Sequence, residues 1–225
     1  MTAHFHDIPA KAADITAVKK QPTQSQYRRW IKRFLDVSIV LVTAPFTVPL
    51  VALMAMFVSL DRHGPFYSQV RIGRGGREFK MVKLRTMVPN ADEMLARYLD
   101  ENLDAKIEWD TTQKLKNDPR ITPIGRILRK SSLDELPQLW NVLLGHMSLV
   151  GPRPMLPAQR DLYPGTEYFT VRPGITGPWQ VSARNSCEFK GRARYDALYA
   201  STVSFRTDAA LIVRTIKTVL RGTGY

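Results

Sequence analysis

The stretch VSIVLVTAPFTVPLVALMAMFVSL, residues 37–60, decides the architecture, because it carries no formal charge from end to end. An apolar run of roughly 18 residues or more is a membrane candidate, and this one just reaches across a hydrocarbon core of about 30 Å. A buried helix of a soluble domain would be shorter and keep polar residues on some face. Two features separate it from a plain span. Pro45 and Pro49 interrupt its middle, each removing a backbone hydrogen bond and bending the helix. Both flanks are basic, with Arg28, Arg29, Lys32 and Arg33 before it and Arg62, Arg71, Arg74, Arg77, Lys80, Lys83 and Arg85 after it. The positive-inside rule draws both ends to the cytoplasmic side. A re-entrant helix satisfies both signals, with Pro49 as hinge and its freed backbone groups covered by neighbouring side chains or the headgroup zone. An ordinary transmembrane anchor with a proline kink is the alternative.

The chain of 225 residues has room for one sizeable domain plus appendages. A net charge of +13 with 44% hydrophobic residues excludes a disordered basic tail. It points to a folded protein that meets something anionic: nucleic acid, anionic lipid or a phosphorylated substrate. A single cysteine, Cys187, excludes an internal disulfide and fits a reducing compartment. The four histidines are scattered and give no zinc site. Residues 1–26 have no sustained apolar periodicity and read as a mobile arm, without the pattern of a secretory signal. The expected division is this arm, a membrane helix with its basic flank over 27–62, and a cytoplasmic-face catalytic domain over 63–225.

In the third part, strands are expected around Phe66–Ile72 and Glu78–Leu84, joined by the turn Gly73-Arg74-Gly75-Gly76. An amphipathic helix is expected over 89–103. Ile124, Ile127 and Leu128 make one helical stripe, and Leu136, Leu139, Trp140, Leu143 and Leu144 make another, closed by Gly145. GPRPMLP (151–157) and VRPGITGPWQVSAR (171–184) read as rigid Pro/Gly loops carrying Arg153, Arg172 and Arg184. Residues 208–220 suit an interfacial amphipathic helix as well as one packed on a core. The fold class is α+β: a mostly helical monotopic membrane protein with a re-entrant proline-kinked helix, a small β-hairpin and interfacial amphipathic helices.

Within SSLDELPQLWNV (131–142) stand two adjacent carboxylates, Asp134 and Glu135. Ser132 followed by Glu135 fits a capping box, and Pro137 puts both acids at the very start of a helix. That place also suits chemistry on phosphates. One acid can hold a hard cation such as Mg²⁺ while the other attacks, provided arginines neutralise the diphosphate. Arg120, Arg129, Arg153, Arg172 and Arg184 lie in turns and loops around the pair. Capping and catalysis both stand on local spacing.

KRFLDV, the proline-interrupted segment, GPFYSQVRIG, FKMVKLRTM, NDPRITPIGRILRKSSLDELPQLWNVL, MSLVGPRP and VRPGITGPWQVSAR occur in that order. This sequence of motifs closely resembles the bacterial sugar transferases, the monotopic polyprenyl-phosphate phosphoglycosyl transferases, and within them the short exopolysaccharide-initiating members. The resemblance implies transfer of a sugar 1-phosphate from a UDP-sugar to undecaprenyl phosphate at the cytoplasmic face of the bacterial inner membrane, with Mg²⁺. It implies a covalent intermediate on Asp134, with Glu135 as metal-associated partner. Lys83, Arg85, Arg153, Arg172 and Arg184 fall on basic family positions expected to bind phosphates, and Asp196 on a further acidic one. Relatives often carry Ser before the hinge proline, where this chain has Val48. A catalytically inactive membrane scaffold is the alternative reading. It explains the basic surface as anionic-lipid binding but leaves the acids and loop arginines without a joint purpose. Nucleic acid is excluded as a partner by the long apolar segment and the lack of a clustered basic helix.

Overall fold

The computed structural model describes residues 26–112, 115–182 and 189–220. The expected arm, apart from Gln26, lies outside these residues, as does Arg184. The described chain opens with a π-helical turn, Tyr27–Ile31, running into helix α1, Lys32–Val58. α1 continues unbroken through Pro45 and Pro49. Within the helical stretch Tyr27–Asp61 an 18-residue window reaches a mean hydropathy of 2.2, and the apolar middle, including Leu41, Val42, Phe46, Val48 and Leu53, is exposed.

Both ends of α1 dock on the same body. Near its start, Asp36 accepts from Ser148 Oγ at 2.6 Å and from the Leu149 amide at 3.2 Å, while Val40 packs on Phe79, Met81, Val142 and Met147. Near its end, Val58 packs on Leu84 and Leu128.

The hairpin forms where alternation places it. Strands β1, Phe66–Ile72, and β2, Glu78–Leu84, pair antiparallel with Phe66 opposite Leu84 and Ile72 opposite Glu78. Its turn places Gly75 and Gly76 at φ +70° and +74°, a conformation that glycine adopts without steric cost. Helices α2, Ala91–Glu101, and α3, Leu103–Thr112, follow. Helix α4, Pro123–Ser131, starts as its sequence dictates, with Thr122 Oγ1 accepting the Gly125 amide at 2.9 Å and Pro123 in the first turn. Helix α5, Gln138–Leu143, comes next.

The Pro/Gly loops hold more order than their composition suggests. β3, Ser148–Val150, pairs parallel with β4, Gly174–Thr176, the second strand lying inside the stretch read as a rigid loop. A Cβ on Gly174 would sit 2.1 Å from the Gly151 amide nitrogen, so the backbones meet only because neither residue has a side chain there. A short helix α6, Pro178–Ser182, follows, then α7, Arg192–Thr202, and α8, Phe205–Leu220.

Asp208 of α8 ties the start of α1 to this body. It accepts from Tyr27 at 2.8 Å, Lys32 at 2.6 Å and Tyr199 at 2.8 Å, all of them screened from water. Removing the carboxylate leaves a buried ammonium and two hydroxyls without their partner. Asp208→Ala is expected to cost about 3–5 kcal/mol, the scale for breaking a buried pair. Thermal unfolding of the detergent-solubilised variant measures it, and an unchanged midpoint would remove Asp208 from this role.

Candidate active site

Local geometry around the acids departs from the capping expectation. α4 ends at Ser132, whose amide returns to Arg129 O at 3.1 Å and whose φ of +57° is left-handed. An N-cap needs an extended backbone, so Ser132 closes the preceding helix and does not cap the next. Leu133–Glu135 then form a 3₁₀ turn, and α5 begins only at Gln138. The acids therefore stand one turn ahead of the helix expected to contain them. No capping box forms: Ser132 accepts the Glu135 amide through its backbone carbonyl at 3.2 Å. The Glu135 carboxylate accepts from Lys83 Nζ at 2.7 Å.

Asp134 is 8% exposed. Burial pushes its carboxyl above the usual range; Lys83 pulls it back, Glu135 adds to the rise, and Arg129 opposes it. Arg129 is fixed by its Nε, which donates to Thr86 Oγ1 at 2.9 Å. The result is a desolvated carboxylate held between one like charge and two cations.

Beside Glu135 lies a small open hollow enclosing about 10 Å³, lined by Lys83, Glu135, Gln138, Arg71, Arg153 and Gln180 among others. Arg71 projects from β1 with its guanidinium brought down to about 10, first by burial and then by the charge of Arg153. Its Nη1 donates to Pro154 O at 3.2 Å and its Nη2 to Gln69 Oε1 at 2.5 Å, while the buried Nε finds no acceptor. Among the described residues, neither Arg71 nor Arg153 has an acidic partner within 4.0 Å. Two neighbouring guanidinium groups without a carboxylate form a socket for an anion, with phosphate the obvious fit.

Of the residues singled out in the sequence, the structure thus gathers Asp134, Glu135, Lys83, Arg129 and Arg153. The others have separate engagements. Arg85 clamps Asp61 with contacts of 2.6 and 2.7 Å and also donates to Gly64 O. Arg120 forms a two-bond pair with Asp118 and lies over the Trp109 ring. Arg172 donates to Gly145 O at 2.8 Å, close to Arg33 and Arg74. Asp196 is fully buried, taking Tyr163 OH at 2.8 Å and Arg192 Nε at 3.3 Å, and does not line the hollow. Sequence reasoning missed Arg71, Gln138 and Gln180. Arg71 was hidden in a flank whose charges read as membrane orientation, although its alternate position in β1 was the available signal.

Asp134 and Glu135 offer only hard oxygen ligands, and no group of three or more potential metal ligands occurs among the described residues. Mg²⁺ is usually held by one or two carboxylates together with substrate phosphates and water, which a two-acid site beside an anion socket fits.

Residues 27–222 match the family model described as bacterial sugar transferase. The chain belongs to the bacterial sugar transferase family. Among curated relatives of this sugar transferase, the UDP-galactose-lipid carrier transferase of Erwinia amylovora is 45% identical over 198 residues, 87% of this chain and 42% of that protein. The exopolysaccharide production protein ExoY of Rhizobium meliloti is 41% identical over 196 residues, 86% of this chain and 87% of that protein. The UDP-glucose:undecaprenyl-phosphate glucose-1-phosphate transferase of Caulobacter vibrioides is 40% identical over 201 residues, 84% of this chain and 69% of that protein. The chain therefore spans under half of some relatives and most of others.

Because the folded sugar transferase raises the affinity of Asp134 for its proton, ionising that group opposes folding. Below the ordinary carboxylate range both folded and unfolded forms hold the proton and the penalty vanishes; it grows as pH rises through the elevated folded value. Asp134→Asn is accordingly expected to melt higher than the native chain at pH 7–8, with the gap closing as pH falls toward 4. Melting curves across that range check the sign.

Proposed function

We propose that this sugar transferase moves a sugar 1-phosphate from a UDP-sugar, UDP-galactose or UDP-glucose, to undecaprenyl phosphate as the first step of exopolysaccharide repeat-unit assembly. The observation that carries the reading is the desolvated Asp134 carboxylate beside a Lys83–Glu135 pair and an anion socket with no internal counter-charge. The printed names of the relatives, which include galactose and glucose phosphotransferases acting on undecaprenyl phosphate, support the substrate class.

The chemistry is a double displacement. A carboxylate oxygen of Asp134 attacks the phosphorus that bears the sugar. The bond from that phosphorus to the bridging oxygen breaks, and UMP leaves with the bond's electrons. The aspartyl phosphosugar is then attacked by a phosphate oxygen of the lipid, which forms the new diphosphate and returns Asp134 to a carboxylate. Arg71 and Arg153 hold phosphoryl oxygens and screen the charge that keeps one anion from approaching another. Lys83 fixes Glu135. Asp134 and Glu135 would hold Mg²⁺, which supplies further neutralisation of the diphosphate when bound.

The lipid acceptor needs a membrane, and α1 supplies the attachment. Arg33 and Val58, near opposite ends of α1, both contact the body that carries the acids. Contact with that body near both ends, together with basic residues on both flanks, favours entry and exit by one face, the cytoplasmic face of the inner membrane.

Detergent-solubilised protein with Mg²⁺ is expected to release UMP continuously only with undecaprenyl phosphate and one matching UDP-sugar. Without the lipid, about one equivalent of UMP per protein should appear, the signature of a covalent intermediate. Asp134→Asn is expected to lower turnover by at least about 10³-fold. Near-native turnover by that variant would discard the nucleophile, and silence of folded wild-type protein with all UDP-sugars would leave the scaffold reading in place.

A further inference from the structure

Gln180 sits in α6, immediately after β4, and lines the hollow with Lys83, Glu135 and the two arginines. Its side-chain nitrogen and oxygen are both buried, and among the described residues neither has a hydrogen-bond partner. Exchanging the two atoms by rotating the amide changes nothing, since both ends are unpaired. Folded proteins seldom leave such groups unsatisfied, because their lost hydration is not recovered. The amide is also held in place. A Cβ at Gly177 would lie 2.9 Å from Gln180 Oε1 and 2.0 Å from Gly151 O, so a bare glycine leaves the room it occupies.

The chemistry of the missing partner is constrained. A phosphate has only acceptors, so it can satisfy the amide N–H groups but leaves Oε1 empty. A hydroxyl both donates and accepts, and two neighbouring hydroxyls satisfy both ends together. A nucleobase imide edge can do so too. The reaction separates these two. The attacked phosphorus carries the sugar directly, whereas the base lies beyond the leaving phosphate and the ribose. A group sharing this hollow with Glu135 and Lys83 therefore faces the sugar. The enclosed space of about 10 Å³ is the size of a single hydroxyl or water, so no whole ring enters it.

We propose that Gln180 is a specificity-determining residue whose amide binds hydroxyls of the sugar being transferred. The inference rests on the transfer reaction proposed above. A pocket built to pair with a hydroxyl rejects a donor lacking it much more strongly than an apolar pocket rejects an extra group.

The experiment compares native protein with Gln180→Leu, following UMP release from the best UDP-sugar and from its monodeoxy analogues, with undecaprenyl phosphate and Mg²⁺ present. Native protein is expected to disfavour one or two of the deoxy donors by roughly 10- to 100-fold in kcat/KM. Gln180→Leu should lose that factor with the full sugar and treat it and those analogues alike. Inhibition by UMP, which has no transferred sugar, should stay at the native level and certifies an intact site. A weaker grip on UMP with sugar discrimination preserved would assign Gln180 to the base and overturn the proposal. So would a variant that still discriminates as the native protein does. Native protein that releases no UMP from any UDP-sugar overturns the transfer reaction itself, and this inference falls with it.

Discussion

A strongly basic body has to hold a long apolar helix that offers few polar handles, and the Asp208 carboxylate supplies much of the grip. It gathers Tyr27 and Lys32 from the start of the helical segment and Tyr199 from α7, out of reach of water. Asp36 repeats the device one turn further along the same face with Ser148 and Leu149. Buried charges are stabilising only when fully partnered, which makes this attachment specific in register as well as firm. Because Ser148 and Leu149 belong to β3, the docking of α1 also fixes the short parallel pair from which α6 departs.

The active site follows the opposite rule. Where the α1 anchor pairs its buried charges, the hollow collects groups left without a partner among the described residues: Arg71 Nε and the Gln180 amide, beside an Arg153 guanidinium with no carboxylate within 4.0 Å. Each is costly in the folded chain, and under the proposed reaction each would gain a partner when a diphosphate sugar enters. Asp134 is costly for a related reason, since its desolvation raises the free energy of its ionised form. Only the Lys83–Glu135 pair is internally balanced. The balance of charge therefore identifies a binding site even before any substrate is considered.

Much of the fold was legible in the sequence because its signals are local. Alternation marked β1 and β2, apolar length marked α1, and the stripes around Leu128 and Leu139 marked α4 and α5. What escaped depends on contacts distant in the chain. β3 and β4 have three residues each, too few for a periodic pattern, and their pairing joins segments 26 residues apart. Ser132 and Glu135 have the spacing of a capping box, yet Lys83, 52 residues away, takes the glutamate. The basic residues were visible as a set but not as individuals. Arg85 and Arg120 answer to nearby aspartates, while Arg71 faces no acid and was counted only as flank.

α5 is six residues long, about 9 Å from end to end. The acid pair directly precedes it, and guanidinium groups close its far end: Arg33 reaches the carbonyls of Val142 and Leu143, and Arg172 reaches Gly145. One of those arginines belongs to the membrane helix. So short a rod, gripped at its tail by α1, has no slack with which to reposition its head. It sets the spacing between Asp134 at its head and α1 at its tail. Under the proposed reaction, the depth at which α1 settles in a bilayer would then bear on the reaction geometry, read along about a turn and a half of helix.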